Sequence, residues 1–167
     1  MTITDDLLEN AKAYAASFDK ENQGGLPMPP RHPLAVLACM DARLIPTRLL
    51  GLHEGDAHVI RNAGGVVTDG DLRSLVISQR LLGTREIMLI HHTDCGMLTF
   101  TDDAFTQDIE ADTGVRPEWA PESFTDVDGD VKQSIARIHA SPFIPHKDAV
   151  RGFVYDVADG SLREVAT

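Results

Sequence analysis

Two short stretches hold the side chains of this 167-residue chain best suited to chemistry. In VLACMDAR, residues 36–43, an apolar run stops at Cys39, and Asp41 and Arg43 follow at alternate positions. In HHTDCGM, residues 91–97, His92 and Cys95 stand three apart and Gly96 permits a sharp turn. Cys39 and Cys95 are the only two cysteines. Two thiolates and one imidazole make a ligand set that zinc accepts in tetrahedral geometry, with a fourth position left to fill.

In an extended segment Cys39, Asp41 and Arg43 point to the same side, which brings the carboxylate toward whatever Cys39 holds. Two thiolates neutralise the charge of a zinc ion, so a bound water is less acidified than one held by three imidazoles. A neighbouring carboxylate can take its proton, and Arg43 can keep that carboxylate ionised, oriented and off the metal. Taken singly, a cysteine ending an apolar strand is a small buried hydrophobe and Asp-x-Arg a surface ion pair. Taken together, both cysteines, a correctly spaced histidine and the dyad make that coincidence a weak explanation. His91 faces away from His92 if the strand alternates, so it is read as a packing or supporting residue.

These residues need a scaffold that brings distant segments to one edge. From Pro33 onward short apolar runs alternate with helical stretches: LAVLACM, PTRLLGL, AHVIRNAGG, DLRSLVISQRLLG and EIMLIHH. That alternation argues for βαβ units, an α/β fold and a parallel sheet with helices on its faces. Ligands collect at the carboxyl ends of such strands, where Cys39 and His91-His92 lie. Before this core, Asp5 to Phe18 reads as an amphipathic helix with Thr4 as N-cap, and NQGGLPMPPRHP as its joint. The expected organisation is one domain over 1–167, with an N-terminal helical arm and Gly/Pro joint over 1–32 and an α/β core over 33–167.

Beyond Gly96, MLTFTDDAFTQDIEADTG and PESFTDVDGDVKQSIARIHA read as acidic, solvated surface helices. Asp94 is expected at the start of the first of them, where its charge suits the helix dipole. RGFVYDVADGSLREVA closes the chain as two alternating runs around Asp-Gly, a hairpin signal.

The 43% hydrophobic composition suffices for a sizeable core, and the net charge of -11 repels phosphate backbones and anionic lipid surfaces. Nucleic acid and membrane are therefore not expected partners. The acidic N-terminus differs from a secretory signal, and two cysteines in a reducing cytoplasm favour metal binding or catalysis over a structural disulfide. The expected location is cytoplasmic.

The chain resembles the β-class carbonic anhydrases through C-x-D-x-R at Cys39, Asp41 and Arg43, and H-x-x-C-G at His92, Cys95 and Gly96. RNAGG, residues 61–65, looks like that family's motif between the two, and the CMDARL and HHTDCGM wording is shared with small actinobacterial members. The resemblance implies a four-stranded parallel sheet extended by a further strand, and an obligate dimer whose N-terminal helix embraces the partner, with a tetramer as the alternative assembly. It implies one zinc ion per chain on Cys39, His92 and Cys95, with water or hydroxide as fourth ligand and Asp41 with Arg43 managing its proton. In some members that aspartate can instead bind zinc and close the site. Ala42 stands where many members carry serine.

The activity so implied is reversible hydration of carbon dioxide to bicarbonate by zinc-bound hydroxide. AGGVV, residues 63–67, is a candidate wall for a linear apolar substrate, or only a turn and a packed helix start. One rival is hydrolysis of carbonyl sulfide or carbon disulfide at the same zinc site, and a second is a closed, structural zinc site without catalysis. A thiol phosphatase is disfavoured: CMDARLIP has no glycine to cradle phosphate, and Asp41 would repel it.

Overall fold

The computed structural model describes residues 2–166. Five strands form one sheet in the order β2-β1-β3-β4-β5: β1 (Leu34–Cys39), β2 (His58–Asn62), β3 (Glu86–His92), β4 (Val150–Tyr155) and β5 (Leu162–Glu164). The first four are mutually parallel, and β5 turns back antiparallel to β4 across the Asp-Gly turn. The mostly parallel α/β sheet and the closing hairpin thus match the expectation.

Both faces of the sheet are covered, which is why β1 reads as a continuous apolar run rather than an alternation. On one face Ala35, Leu37, Ile87, Leu89 and Val154 pack beneath α3 (Asp69–Leu82) and α5 (Val127–Ala140), which contribute Leu75, Val131, Ile135 and Ile138. On the other, Val36, Ala38 and Ile90 pack with Leu44, Val66, Met97 and Phe124. The acidic segment around α5 is therefore not a wholly solvated helix: its acids cap the start, where Asp126 accepts from the Asp128 and Gly129 amides, while its apolar stripe enters the core. Gly152 on β4 belongs to the same packing, because a Cβ there would collide with Val131. The other acidic helix, α4 (Asp102–Thr113), buries only Thr106, and the short α2 (Pro46–Leu50) only Pro46.

The N-terminal arm, α1 (Ile3–Ala16), starts two residues before the position expected from Thr4. Thr2 caps it through a reciprocal pair with Asp5, which offers the first turn both a side-chain acceptor and a favourable charge. None of its residues is buried, and Ile3, Leu7, Leu8 and Tyr14 stand exposed. Its tether to the rest of the chain includes the Tyr14 hydroxyl, which donates to Glu54 at 2.6 Å. Among the described residues no helix is long and apolar enough to cross a membrane.

Candidate metal centre

Adjacency of β1 and β3 builds the site. Their register pairs Ala38 with Ile90, so Cys39 ends one strand while His92 ends its neighbour, and the turn after β3 returns Cys95 to the same place. The Cys39 and Cys95 sulfurs lie 4.0 Å apart, His92 Nε2 is 3.2 Å from Cys39 Sγ, and all three ligand atoms fall within 4.8 Å of one another. Tetrahedral zinc with its usual bond lengths separates two thiolate sulfurs by about 3.8 Å and a sulfur from an imidazole nitrogen by about 3.6 Å, so these donors fit such an ion. All three residues are buried.

The histidine is oriented for that task. Its Nδ1–H donates to the Thr93 carbonyl at 2.8 Å, so Nε2 is the nitrogen that faces the sulfurs, and in the neutral ring it carries the lone pair. Burial works against charging His92, but hydrogen bonds to Cys39 and the Thr93 carbonyl outweigh it, and its pKa lies above the ordinary imidazole value. A hydrogen bond from the Cys95 thiol, helped by His92, pulls Cys39 below the ordinary thiol range, and sharing that bond pushes Cys95 up. The cluster thus holds one negative charge readily and a second only against a cation.

Asp41 and Arg43 do come together beside this cluster, but not by strand alternation. The strand ends at Cys39, and the chain turns, with the Leu44 amide on the Asp41 carbonyl. Asp41 Oδ1 accepts from the Arg43 backbone amide at 2.8 Å, an Asx turn that folds the two side chains onto each other. Arg43 Nε then reaches Oδ1 at 3.0 Å and Nη2 reaches Oδ2 at 2.8 Å. These bonds hold the Asp41 carboxyl well below the usual carboxylate range. Its Oδ2 lies 3.6 Å from His92 Nε2.

Other residues fix this turn. Arg61, at the end of β2, donates to the Cys39 carbonyl through Nε at 3.1 Å and Nη2 at 2.7 Å, and Nη2 also reaches the Asp41 carbonyl at 2.7 Å. The RNAGG stretch carried this arginine in plain sight, but nothing in its spacing said that it would clamp β1. Asp94 directly precedes Cys95, the N-cap of a short 3-10 turn over Gly96–Leu98, well before α4. It sits in the turn before Cys95 with a φ of 54° and pairs with Arg43 Nη1 at 2.7 Å.

Gly65 has a φ of 77°, and a Cβ on it would lie 2.9 Å from the Ile90 carbonyl oxygen and 3.0 Å from the Cys39 amide nitrogen. The turn therefore presses directly on the two strand ends, as only glycine can. Of the two valines after it, Val66 packs with Cys39 and Cys95, whereas Val67 turns to the opposite core beneath α5. His91 is fully buried, and its Nε2–H donates to Asp130 of α5 at 2.7 Å, away from the sulfurs.

The carbonic anhydrase family profile matches residues 34–122, which contain the whole cluster and the dyad. The chain is 60% identical over 165 residues to Beta-carbonic anhydrase 1 of Mycobacterium tuberculosis, covering 99% of both proteins. It is 34% identical to a carbon disulfide hydrolase of Acidithiobacillus thiooxidans, over 94% of this chain and 85% of that one. The crystal structure of a carbonic anhydrase from Streptococcus mutans superposes with a TM-score of 0.88 at 43% identity, covering 99% of each chain. The strand order, the buried thiol-imidazole cluster and these likenesses converge: the chain belongs to the β-carbonic anhydrase family.

Proposed function

We propose that the protein catalyses the reversible hydration of carbon dioxide to bicarbonate and a proton, with one zinc ion per chain held by Cys39, His92 and Cys95. The observation that carries this reading is the convergence of three donor atoms within 4.8 Å, with the His92 tautomer fixed so that Nε2 faces the sulfurs. Zinc bound there supplies a Lewis acid that makes water nucleophilic near neutral pH.

Asp41 is the catalytic acceptor of the proton that the attacking water gives up, through Oδ2, the oxygen 3.6 Å from His92 Nε2. Arg43 keeps that carboxylate ionised and aimed, because three of its N–H groups are spent on the two Asp41 oxygens. Arg61 holds the carbonyls on either side of Met40 and so fixes the turn that carries Asp41. Val66, Met97 and Phe124 surround the thiols with apolar surface suited to an uncharged linear substrate.

Stopped-flow hydration of carbon dioxide between about pH 6 and 9, with zinc measured on the same preparation, tests this. Rapid turnover at about one zinc per chain is the expected result. A zinc-loaded protein that hydrolyses carbon disulfide or carbonyl sulfide but leaves carbon dioxide untouched would overturn it, and one inert toward all three would make the zinc structural.

We further read residues 1–167 as one domain that works as a homodimer in the cytoplasm. The exposed Ile3, Leu7, Leu8 and Tyr14 give α1 an apolar stripe suited to a second copy, and the free Cys39 and Cys95 thiols suit a reducing compartment. Light scattering at low protein concentration should give twice the chain mass, and a Leu7→Ser, Leu8→Ser variant should shift it toward monomer.

A further inference from the structure

We propose that Asp94 is a positioning residue of the reaction, holding the Arg43 guanidinium from the side opposite Asp41 and thereby fixing the angle of the Asp41 carboxylate. The inference rests on Asp41 being the proton acceptor.

Arg43 is a long side chain on an exposed turn, and Asp41 takes up only part of it. The Nε and one Nη2 hydrogen go to Asp41, at 3.0 and 2.8 Å. The remaining edge belongs to Asp94, whose Oδ2 accepts from Nη1 at 2.7 Å and whose backbone carbonyl accepts from Nη2 at 3.0 Å. The guanidinium plane is thus gripped along both edges, and a rotation that would tip Asp41 breaks bonds on the Asp94 side. The grip also links the end of β1 to the end of β3, the two strand ends that supply Cys39 and His92.

Two observations separate this from incidental surface pairing. Arg43 and Asp94 side chains are 48% and 78% exposed, and ion pairs so placed add little to stability, so a stabilising role is a poor account of the contact. Asp94 also adopts a positive φ of 54°, shared among the described non-glycine residues only with Glu122. Both its carboxylate and its carbonyl meet the same guanidinium in that conformation. Since Asp94 is not among the three donors of the metal cluster, its effect on the reaction passes through Arg43.

The test compares Asp94→Ala and Asp94→Asn with wild type and Asp41→Asn, all as zinc-loaded proteins. Asp94→Ala should lower kcat about tenfold to a hundredfold, since a small misplacement of a reacting group costs that much. Asp94→Asn, which keeps both acceptors, should fall in between. Metal content and thermal midpoint should stay at wild-type values, and added imidazole buffer, an external proton acceptor, should restore much of the kcat. In NMR spectra of arginine-labelled protein, the resolved Nη signals of Arg43 should coalesce in Asp94→Ala as the guanidinium begins to rotate. Wild-type kcat with unchanged Arg43 signals would overturn the proposal. So would a fall in kcat accompanied by metal loss or a lower midpoint and insensitive to imidazole, because that assigns Asp94 to loop structure. If Asp41→Asn itself retains full turnover, the reading of Asp41 fails, which is a separate result.

Discussion

Asp41 Oδ2 stands 3.6 Å from His92 Nε2 while both oxygens of the same carboxylate are bonded to Arg43. The acid is therefore next to the histidine nitrogen that faces the sulfurs but restrained from it, which suits the proposed proton acceptor better than a permanent ligand.

Replacing Asp41 by Asn keeps the shape of the turn and removes the charge. Turnover of carbon dioxide should fall by about 10²- to 10⁴-fold, the usual contribution of a placed acid or base, while zinc content stays unchanged. Stopped-flow rates and metal analysis on one preparation check both halves.

Arg43 also sets how Asp41 responds to acid. Its hydrogen bonds lower the folded-state pKa of Asp41, so the dyad's stabilisation is fully present above the unfolded carboxylate value of about 3.9 and is lost as pH falls through the lower folded value. Arg43→Ala removes the cause and returns the folded pKa toward the unfolded one. Acid unfolding followed by circular dichroism between about pH 5 and 2 should then begin at higher pH in the variant, with the two curves parallel above about pH 5.

Metal binding should be lost with any one of its three ligands. Cys39→Ser and His92→Ala should each fall to less than about a tenth of a zinc per chain, and chelation of wild type should lower its thermal midpoint, since a ligand bound only by the folded state stabilises it by mass action. Full metal content in either variant would show the ligand assignment to be wrong.

Gly65→Ala places a methyl group against the Ile90 carbonyl and the Cys39 amide at a φ of 77°. Both strain and clash act at the strand ends, so the substitution should cost about 1–3 kcal/mol in urea unfolding and reduce zinc affinity at the same time. Gly83→Ala, at a φ of 78° with nothing within 4 Å of its added Cβ, isolates the backbone cost. It should leave zinc affinity alone.

Asp130→Ala leaves His91 buried and without a partner for Nε2, adding to the Nδ1 that already has none. A loss of about 1–3 kcal/mol is expected, and Asp130→Asn should recover part of it by retaining an acceptor. Urea denaturation of the two variants side by side separates hydrogen bonding from charge.

The sequence announced the reactive residues better than the means that orient them. The clustering of Cys39, His92 and Cys95 was legible because metal donors come in few types and spacings, and the sheet followed from apolar runs buried on both faces. The pairing of Asp41 with Arg43 was foreseen for a reason that does not hold, since an Asx turn and not an extended strand joins them. The turn is hidden in the sequence because alternate polar residues after a strand fit both conformations. Asp94 does precede a short 3-10 turn, as acids before a helix often do, but its carboxylate is taken by Arg43, 51 positions away, which no local pattern announces. The acidic content of α5 likewise concealed its core-facing stripe of Val131, Ile135 and Ile138.

The split of the donors between β1 and β3 has a kinetic meaning. His92 and Cys95 are near neighbours along the chain, but Cys39 is 53 positions from His92 and reaches it only after the β1-to-β3 crossover has closed around β2 and α3. A nascent or unfolded chain can offer an ion no more than a local two-donor hook. Full affinity arises with the parallel pairing of the central strands, a non-local and therefore slow event. A zinc ion bound as proposed would then be retained only by chains in which β1 and β3 have already paired.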